Sequence, residues 1–192
     1  MDKRSTHIES VINEVFSLYD RFGDADYIGE PVSQLEHMSQ SAQLAITRGS
    51  DDEIVLAAFF HDIGHICVMQ KAENSMGGYG VKSHEKIGAD YIREKGFPER
   101  VARLIESHVQ AKRYLTFKYP EYYEALSEAS RKTLEFQGGK MTAEEANQFE
   151  NADIFEESIL MRRWDEEAKE TEVPIIDIDD LKERARRVLN AN

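Results

Sequence analysis

Histidine and aspartate residues give the clearest chemical signal in this sequence. The pair His61 and Asp62 ends the most apolar segment of the chain, residues 54–60. Two adjacent polar side chains at the end of such a run need partners, because burying them unpaired costs on the order of a few kcal/mol. Further candidate ligands lie in other predicted helices: His37, His84, His108 and Asp165. The set predicts a metal site rather than isolated, hydrogen-bonded core residues.

The number and spacing of these ligands favour two metal ions. His37 and His61 are 24 residues apart, as are His84 and His108. Helices of a bundle can project such side chains toward one centre. Four imidazoles and two carboxylates exceed the needs of one ion, so the set indicates a two-metal site that Asp62 can bridge. Imidazole and carboxylate ligands together suit iron, manganese or zinc, not calcium.

The elements that would hold these ligands are nearly all predicted helices. Gly23 ends a stripe of apolar residues that recur at three- and four-residue steps, which is typical of a helix. Ser33 with Glu36, and Thr142 with Glu145, form capping-box signatures that start two more helices. Strand signals are weak, since the chain has no alternating β-branched run and no Asn-Gly hairpin.

Several more helices follow from the same kind of signal. Ser83 is expected to cap a helix that ends at Gly96, and Pro98 is expected in the first turn of the next. Other helices are predicted near residues 122–136, 154–165 and, at the C-terminus, about 178–190. The sequence therefore predicts an all-α fold, a bundle of roughly eight helices in a single domain over residues 1–192.

Composition narrows the classes of function. The chain has 192 residues, a formal net charge of −13 and a sequence pI of about 4.9, which argues against a broad basic face for nucleic acid. No apolar run approaches the ~20 residues of a membrane span, and no secretory signal is visible. The single cysteine, Cys67, excludes an intrachain disulfide and fits a reducing compartment. We therefore expect a cytoplasmic protein that acts on a small molecule, with neither nucleic acid nor a membrane as partner.

The order of the ligands, H…HD…H…H…D, resembles that of the HD-domain superfamily in its two-metal form. That order alone leaves phosphohydrolases and diiron oxygenases both open. Five stretches are similar to the PhnZ-type phosphonate oxygenases, which are HD-domain enzymes with a mixed-valent diiron centre. These stretches are residues 26–30 (DYIGE), 77–86 (GGYGVKSHEK), 108–115 (HVQAKRYL), 130–135 (SRKTLE) and 162–165 (RRWD). The similarity runs from about residue 24 to 169 and implies an HD-domain helical bundle.

The resemblance also implies a reaction. It assigns an Fe(II)/Fe(III) pair, bridged by Asp62, with O2 as co-substrate. The expected activity is oxidative cleavage of the C–P bond of 1-hydroxy-2-(trimethylammonio)ethylphosphonate or 1-hydroxy-2-aminoethylphosphonate, giving phosphate and glycine betaine or glycine. Overall likeness favours the trimethylammonio compound. Metal chemistry is needed because a C–P bond carries no easily displaced group. The implied iron ligands are His37, His61, Asp62, His84, His108 and Asp165.

Other motif residues are expected to bind the phosphonate group. Lys112 lies four residues after His108, on the same helix face, and can reach an anion bound at the metals. Arg162 can support either that anion or Asp165. The remaining residues that the resemblance places near the phosphonate are His65, Ser130, Thr133 and Gln137.

A predicted loop over residues 24–31 carries the expected catalytic residues Tyr27 and Glu30. In the family that this chain resembles, the tyrosine can occupy an iron site before substrate arrives, and the glutamate meets the ammonium group of the substrate. Tyr27 would then shield the ferrous iron from oxygen until substrate displaces it. Asp24 and Asp26 are further acidic candidates for the amine end.

Three other functions compete with this one. An HD phosphohydrolase would use the same ligands to activate water for attack on a nucleotide or another phosphoester, with no need for Tyr27, Glu30 or iron redox chemistry. An enzyme similar to inositol oxygenases would share the diiron centre but would not need an oxyanion site built from Lys112 and two hydroxyls. A non-catalytic HD module would bind a signalling ligand, which the intact ligand set disfavours.

Overall fold

The computed structural model describes residues 3–27, 29–67, 76, 78 and 80–192. These residues contain eleven helices and no β-sheet, with one isolated bridge between Asp26 and Ser33. The predicted all-α, single-domain fold is confirmed. The helices are α1 (Lys3–Phe22), α2 (Gln34–Thr47), α3 (Asp52–Phe60), α4 (Ile63–Cys67), α5 (His84–Glu94), α6 (Glu99–Lys118), α7 (Pro120–Ala125), α8 (Glu128–Phe136), α9 (Ala143–Glu150), α10 (Phe155–Glu167) and α11 (Ile178–Ala191).

Side-chain caps start five of these helices, namely α2, α3, α8, α9 and α11. At α2, the Ser33 hydroxyl accepts the Glu36 N–H at 3.2 Å, and the Glu36 carboxylate accepts the Ser33 N–H at 2.6 Å. Thr142 and Glu145 form the same reciprocal pair at α9. Both predicted capping boxes are therefore confirmed. At α3, the Asp51 carboxylate accepts the N–H of the third helical residue, which satisfies a backbone donor that the helix cannot.

Three local predictions are wrong. Ser83 precedes α5 in the left-handed conformation, with φ 58°, and its side chain makes no capping bond. Pro98 occupies the N-cap position of α6, without a capping bond, instead of lying in the first turn. The helix predicted over residues 122–136 is divided into α7 and α8, because the backbone is extended at Leu126 and the Ser127 hydroxyl then caps a new helix. This division and the five-residue α4 raise the number of helices above the roughly eight predicted.

The core lies where the longer helices meet. Helix α6 packs against α3, α5 and α10, and α2 packs against α3 and α10. Residues 55–60 of α3 are fully buried, so this helix runs through the middle of the bundle. A Cβ on Gly64 would lie 1.9 Å from the His84 carbonyl oxygen, so only glycine lets α4 approach the start of α5 this closely. No helix within the described residues is long and apolar enough to cross a membrane.

Candidate metal centre

The six predicted ligands converge at the centre of the bundle. His61 and Asp62 directly follow the buried helix α3, while the others come from α2, α5, α6 and α10. None of the six is more than 4% exposed, so their polar atoms depend on one another and on the surrounding protein. The convergence that the sequence predicted is therefore present in the fold. The six residues are His37, His61, Asp62, His84, His108 and Asp165.

Backbone carbonyls orient all four imidazole rings in the same way. In each ring, Nδ1 lies at hydrogen-bonding distance from a carbonyl oxygen. Since a carbonyl oxygen can only accept, Nδ1 must carry the proton, and Nε2 points its lone pair at the centre. The pairs are His37 with Ala168 (2.8 Å), His61 with Ala58 (2.8 Å), His84 with Val81 (3.2 Å) and His108 with Ile105 (2.6 Å).

The Nε2 atoms face one another in two pairs. Those of His37 and His61 are 3.0 Å apart, and those of His84 and His108 are 3.1 Å apart. Two lone pairs at this distance repel, so a proton or a metal cation must lie between the rings of each pair. Neutral Nε2 atoms held by Nδ1–H donation to a carbonyl are the usual form of histidine metal ligands. The arrangement fits one metal ion for each pair.

Asp62 lies between the two imidazole pairs. Its Oδ2 is 3.6 Å from Nε2 of His37 and 3.5 Å from Nε2 of His61. Its Oδ1 is 3.1 Å from Nε2 of His84 and 3.6 Å from Nε2 of His108. Two groups of possible ligands thus share this one carboxylate. Each oxygen serves a different pair, which is the geometry that a bridging carboxylate needs.

Asp165 completes the group formed by His37 and His61. Its Oδ1 is 3.5 Å from Nε2 of His37 and 3.9 Å from Nε2 of His61. This oxygen is buried and has no hydrogen-bond partner among the described residues, an arrangement that is costly unless a cation binds there. The other oxygen, Oδ2, accepts a hydrogen bond from Arg162. Imidazole and carboxylate donors of this kind fit a first-row transition metal.

The charges at the centre are unequal within each pair. Burial lowers the pKa of His37, but contacts with Asp165 and Asp62 outweigh it and raise the pKa to about 9. Burial also lowers the pKa of His84, and Asp62 reverses the effect to give a raised pKa. Burial holds the pKa of His108 at about 3. Without metal, one ring of each pair therefore takes up a proton more readily than its neighbour.

Metal uptake by the metal-free protein is expected to release a proton from His37. With a pKa of about 9, this ring is charged at neutral pH, whereas a metal ion requires unprotonated Nε2. Below that pKa, one proton competes with the metal, so the apparent metal affinity falls about tenfold for each unit by which the pH is lowered. The affinity should thus rise with pH and level off near pH 9. Titration of Zn²⁺ into weakly buffered protein with an indicator dye, at about pH 7 and about pH 10, measures the release. Equal release at both pH values would contradict the prediction.

A cavity of about 60 Å³ adjoins the second imidazole pair. Its walls include Asp62, His84 and His108, but neither His37 nor His61. The second group also has one protein ligand fewer than the first, since Asp165 contacts only the first pair. A metal ion held there has more positions left for a small molecule that enters the cavity.

Lys112 and three polar side chains form the wall opposite the metal ligands. Lys112 is only 3% exposed, and its ammonium group donates to Oγ1 of Thr133 at 2.8 Å and to Oε1 of Gln137 at 3.0 Å. Ser130 lines the same wall one turn before Thr133. Burial, followed by the charge of Arg162, lowers the pKa of Lys112 well below its ordinary value. The wall offers several donors to an anion, and an anion there would favour the charged form of Lys112.

His65 is a neutral hydrogen-bond donor beside the same cavity. Its Nδ1 accepts the Val81 N–H at 3.1 Å, so the proton of the neutral ring lies on Nε2. Burial, followed by the charge of His84, lowers its pKa to about 3, which keeps the ring uncharged. A Cβ on Gly80 would come within 2.7 Å of this ring, so the glycine leaves room for it. Its tautomer is opposite to that of the four inward-facing rings.

The loop before α2 brings Tyr27 and Glu30 to the cavity. The ring of Tyr27 stacks on His37 with centroids 4.0 Å apart, and burial, followed by the charge of Asp62, raises the pKa of its phenol well above the ordinary value. Glu30 accepts hydrogen bonds from Ser127 and Lys169, both at 2.7 Å. Both predicted residues line the cavity, and the phenol remains protonated next to the candidate ligands.

Some predicted residues are placed differently. Asp24 and Asp26 are exposed and do not line this cavity. Arg162 lines the cavity and directs its three donor nitrogens to Tyr122, Asp165 and Glu166, so it makes the contact with the aspartate that was one of its two predicted roles. The motif residues Ile28, Gly77 and Tyr79 lie outside the described residues.

The sequence interpretation missed several contributors to the site. Lys169, which pairs with Glu30, follows Asp165 by four residues and lies just beyond the end of α10, and that spacing was the available signal. Gln34 also lines the cavity and precedes His37 by one helical turn. The carbonyl of Ala168 orients His37, and no side chain at that position marks this role.

Comparison with known proteins adds independent findings. The family model described as "HD domain" matches residues 34–181. The chain is 38% identical over 164 residues to the [1-hydroxy-2-(trimethylamino)ethyl]phosphonate dioxygenase (glycine-betaine-forming) of Leisingera caerulea, covering 85% of this chain and 83% of the relative. It is 37% identical over 172 residues to the hydroxymethylphosphonate dioxygenase of Gimesia maris, covering 90% and 83%. An uncharacterised protein of Acanthamoeba polyphaga mimivirus is 47% identical over 158 residues, covering 82% and 72%.

Proposed function

The chain belongs to the HD-domain family and, within it, to the PhnZ-like oxygenases, and from this premise we propose that it uses O2 to cleave the C–P bond of a small 1-hydroxyphosphonate. The products are inorganic phosphate and a carboxylate. The observation that carries the proposal is that the two imidazole pairs lie on either side of Asp62, with one oxygen of Asp62 directed at each pair. This donor arrangement supports two metal ions, which we propose to be iron as an Fe(II)/Fe(III) pair.

The proposed ligands divide into two sets. His37, His61 and Asp165 would hold one ion, His84 and His108 would hold the other, and Asp62 would bridge them. The bound ions would supply Lewis acidity and the redox route for O2 that the C–P bond requires. Arg162 holds one oxygen of Asp165 and so leaves the other directed at the first ion.

The cavity wall supports binding of the phosphonate end. Lys112, Thr133 and Ser130 face the second ligand set, and His65 adds a neutral N–H donor. A phosphonate oxygen near the metals would therefore meet one cation and several hydroxyl or imidazole donors. These residues orient the anion and replace the water around it.

Tyr27 is proposed to act at the metal centre and Glu30 at the opposite end of the substrate. Tyr27 lies against His37 and near Asp62, where its phenol can cover the metal centre until substrate enters. Glu30 is the acidic residue of the cavity wall outside the ligand set, and it supports a cationic group on C2. The proposed substrates are 1-hydroxy-2-(trimethylammonio)ethylphosphonate and 1-hydroxy-2-aminoethylphosphonate. The single cysteine, Cys67, cannot form an intrachain disulfide, which supports a reducing cytoplasmic setting.

The requirement for oxygen tests this function. The iron-loaded protein should release phosphate from a 1-hydroxyphosphonate in air, and release should stop when O2 is removed and resume when it is readmitted. The metal content should be two irons per chain, with a mixed-valent signal in electron paramagnetic resonance. Release of phosphate from a nucleotide or another phosphoester without O2 would instead support the HD phosphohydrolase and overturn the proposal.

A further inference from the structure

Gln34 lies in the cavity wall between the metal ligands and the loop that carries Glu30. It is the first residue of α2 and lies one turn before His37, so both side chains face the centre of the bundle. The residue is 5% exposed and lines the same cavity as Tyr27 and Glu30. Resting on the function proposed above, we infer that Gln34 is a substrate-binding residue whose amide oxygen accepts a hydrogen bond from a donor group of the substrate.

The amide oxygen of Gln34 is the unsatisfied part of this side chain. Its Nε2 donates weakly to the carbonyl of Asp26, at 3.4 Å, whereas Oε1 is buried and has no hydrogen-bond partner among the described residues. Buried acceptors normally have a partner, because losing water without a replacement is unfavourable. At the wall of a binding cavity, a bound ligand is the natural source of that partner.

Two other glutamines show that the unpaired oxygen is specific to this position. Gln137 lines the same cavity, and its Oε1 accepts from Lys112. Gln40 lies farther along α2, is 6% exposed and has both ends of its amide paired with the backbone of Glu170. Gln40 therefore has a complete structural role away from the cavity, while Gln34 retains an acceptor beside it.

The chemistry of an amide oxygen defines what it can recognise. It accepts from O–H or N–H and gains nothing from an N-methyl group, which has no polar hydrogen. A 1-hydroxyphosphonate offers two such donors, the C1 hydroxyl and, when present, a primary ammonium group at C2. The trimethylammonio compound and hydroxymethylphosphonate keep only the hydroxyl. These three compounds therefore separate the two sources of the hydrogen bond.

Gln34→Met tests the inference, because methionine keeps a similar shape and removes the acceptor. The dissociation constants of the three compounds are measured by anaerobic calorimetry on iron-loaded protein, alongside KM and kcat in air. A contact with the C1 hydroxyl raises the dissociation constant about tenfold for all three compounds, and a contact with the ammonium group raises it only for the 2-amino compound. Gln34→Glu keeps an oxygen acceptor and should restore binding toward the wild-type value.

Thermal unfolding of the metal-free variants separates binding from structure. Gln34→Met removes an unpaired oxygen and loses only one long hydrogen bond, so its Tm should change little, whereas Gln40→Met loses two shorter hydrogen bonds and should have a lower Tm. Unchanged dissociation constants for all three compounds, or a Tm loss in Gln34→Met equal to that of Gln40→Met, would overturn the role of Gln34. If the wild-type protein released phosphate from none of the three compounds, the proposed function would be overturned, and the role of Gln34 with it.

Discussion

Asp62→Asn protein is expected to lose at least one of its two metal ions and roughly 10³-fold in O2-dependent phosphate release. Each oxygen of Asp62 faces a different imidazole pair. The asparagine side chain has the same shape, but it is uncharged and presents an NH2 group, which cannot bind a cation, to one of the pairs. Metal analysis by mass spectrometry and the mixed-valent signal in electron paramagnetic resonance measure the loss directly.

Asp52→Asn is the matched control for this variant. Asp52 also carries several ionic contacts, with Arg184 and Arg187 of α11, but it lies on the surface away from the candidate ligands. Its replacement should change stability by up to about 1 kcal/mol, as for exposed ion pairs, and leave two metals per chain. If Asp62→Asn retained two ions and the wild-type rate, the bridging role would be wrong, and the two-metal interpretation would lose its geometric basis.

Only part of the ligand set stands out by its local context, because His61 and Asp62 follow an apolar run whereas Asp165 lies among charged residues and is recognised by the order of the ligands along the chain. His61 and Asp62 end a fully buried helix, so their position alone indicated buried, partnered groups. Capping boxes likewise predicted the starts of α2 and α9, since the side chain and the backbone that it caps are only three residues apart. Signals that act over a few residues can be recognised in one sequence.

The orientation of the His37 ring could not be predicted in this way, unlike the other three rings, which are held by carbonyls three residues earlier in the chain. Nδ1 of His37 is held by the carbonyl of Ala168, which is 131 residues away in the chain and carries no functional side chain. The division between α7 and α8 depends on the extended backbone at Leu126, a buried residue of ordinary helical propensity. Pairing of Glu30 with Lys169 also joins distant segments. Such features arise from packing, which overrides local preference.

Replacing Lys112 with Met is expected to lower kcat/KM for the hydroxyphosphonate by about 10²- to 10³-fold while two metals remain bound. The ammonium group is buried in the cavity wall and lies with Thr133 and Gln137 opposite the second ligand set. Methionine matches the length of the lysine stem, so the main loss is the charge that meets the anion. Lys118→Met is the matched control, because Lys118 lies on the same helix but pairs with Glu150 at the surface.

Proton uptake gives a second measure of the role of Lys112. Burial lowers the pKa of this side chain well below its ordinary value in the ligand-free protein, and a bound anion raises it again because opposite charges stabilise each other. At a pH between these two pKa values, binding of inorganic phosphate takes up a proton, so phosphate affinity falls as pH rises through that interval.

Calorimetry in buffers of different ionisation enthalpy counts the protons that are taken up when phosphate binds. Because Lys112→Met removes the titrating group, its proton uptake should be smaller by the share that Lys112 contributes. If uptake were identical in the variant and the wild type, the anion would not be meeting this lysine, and the phosphonate end would have to bind elsewhere in the cavity.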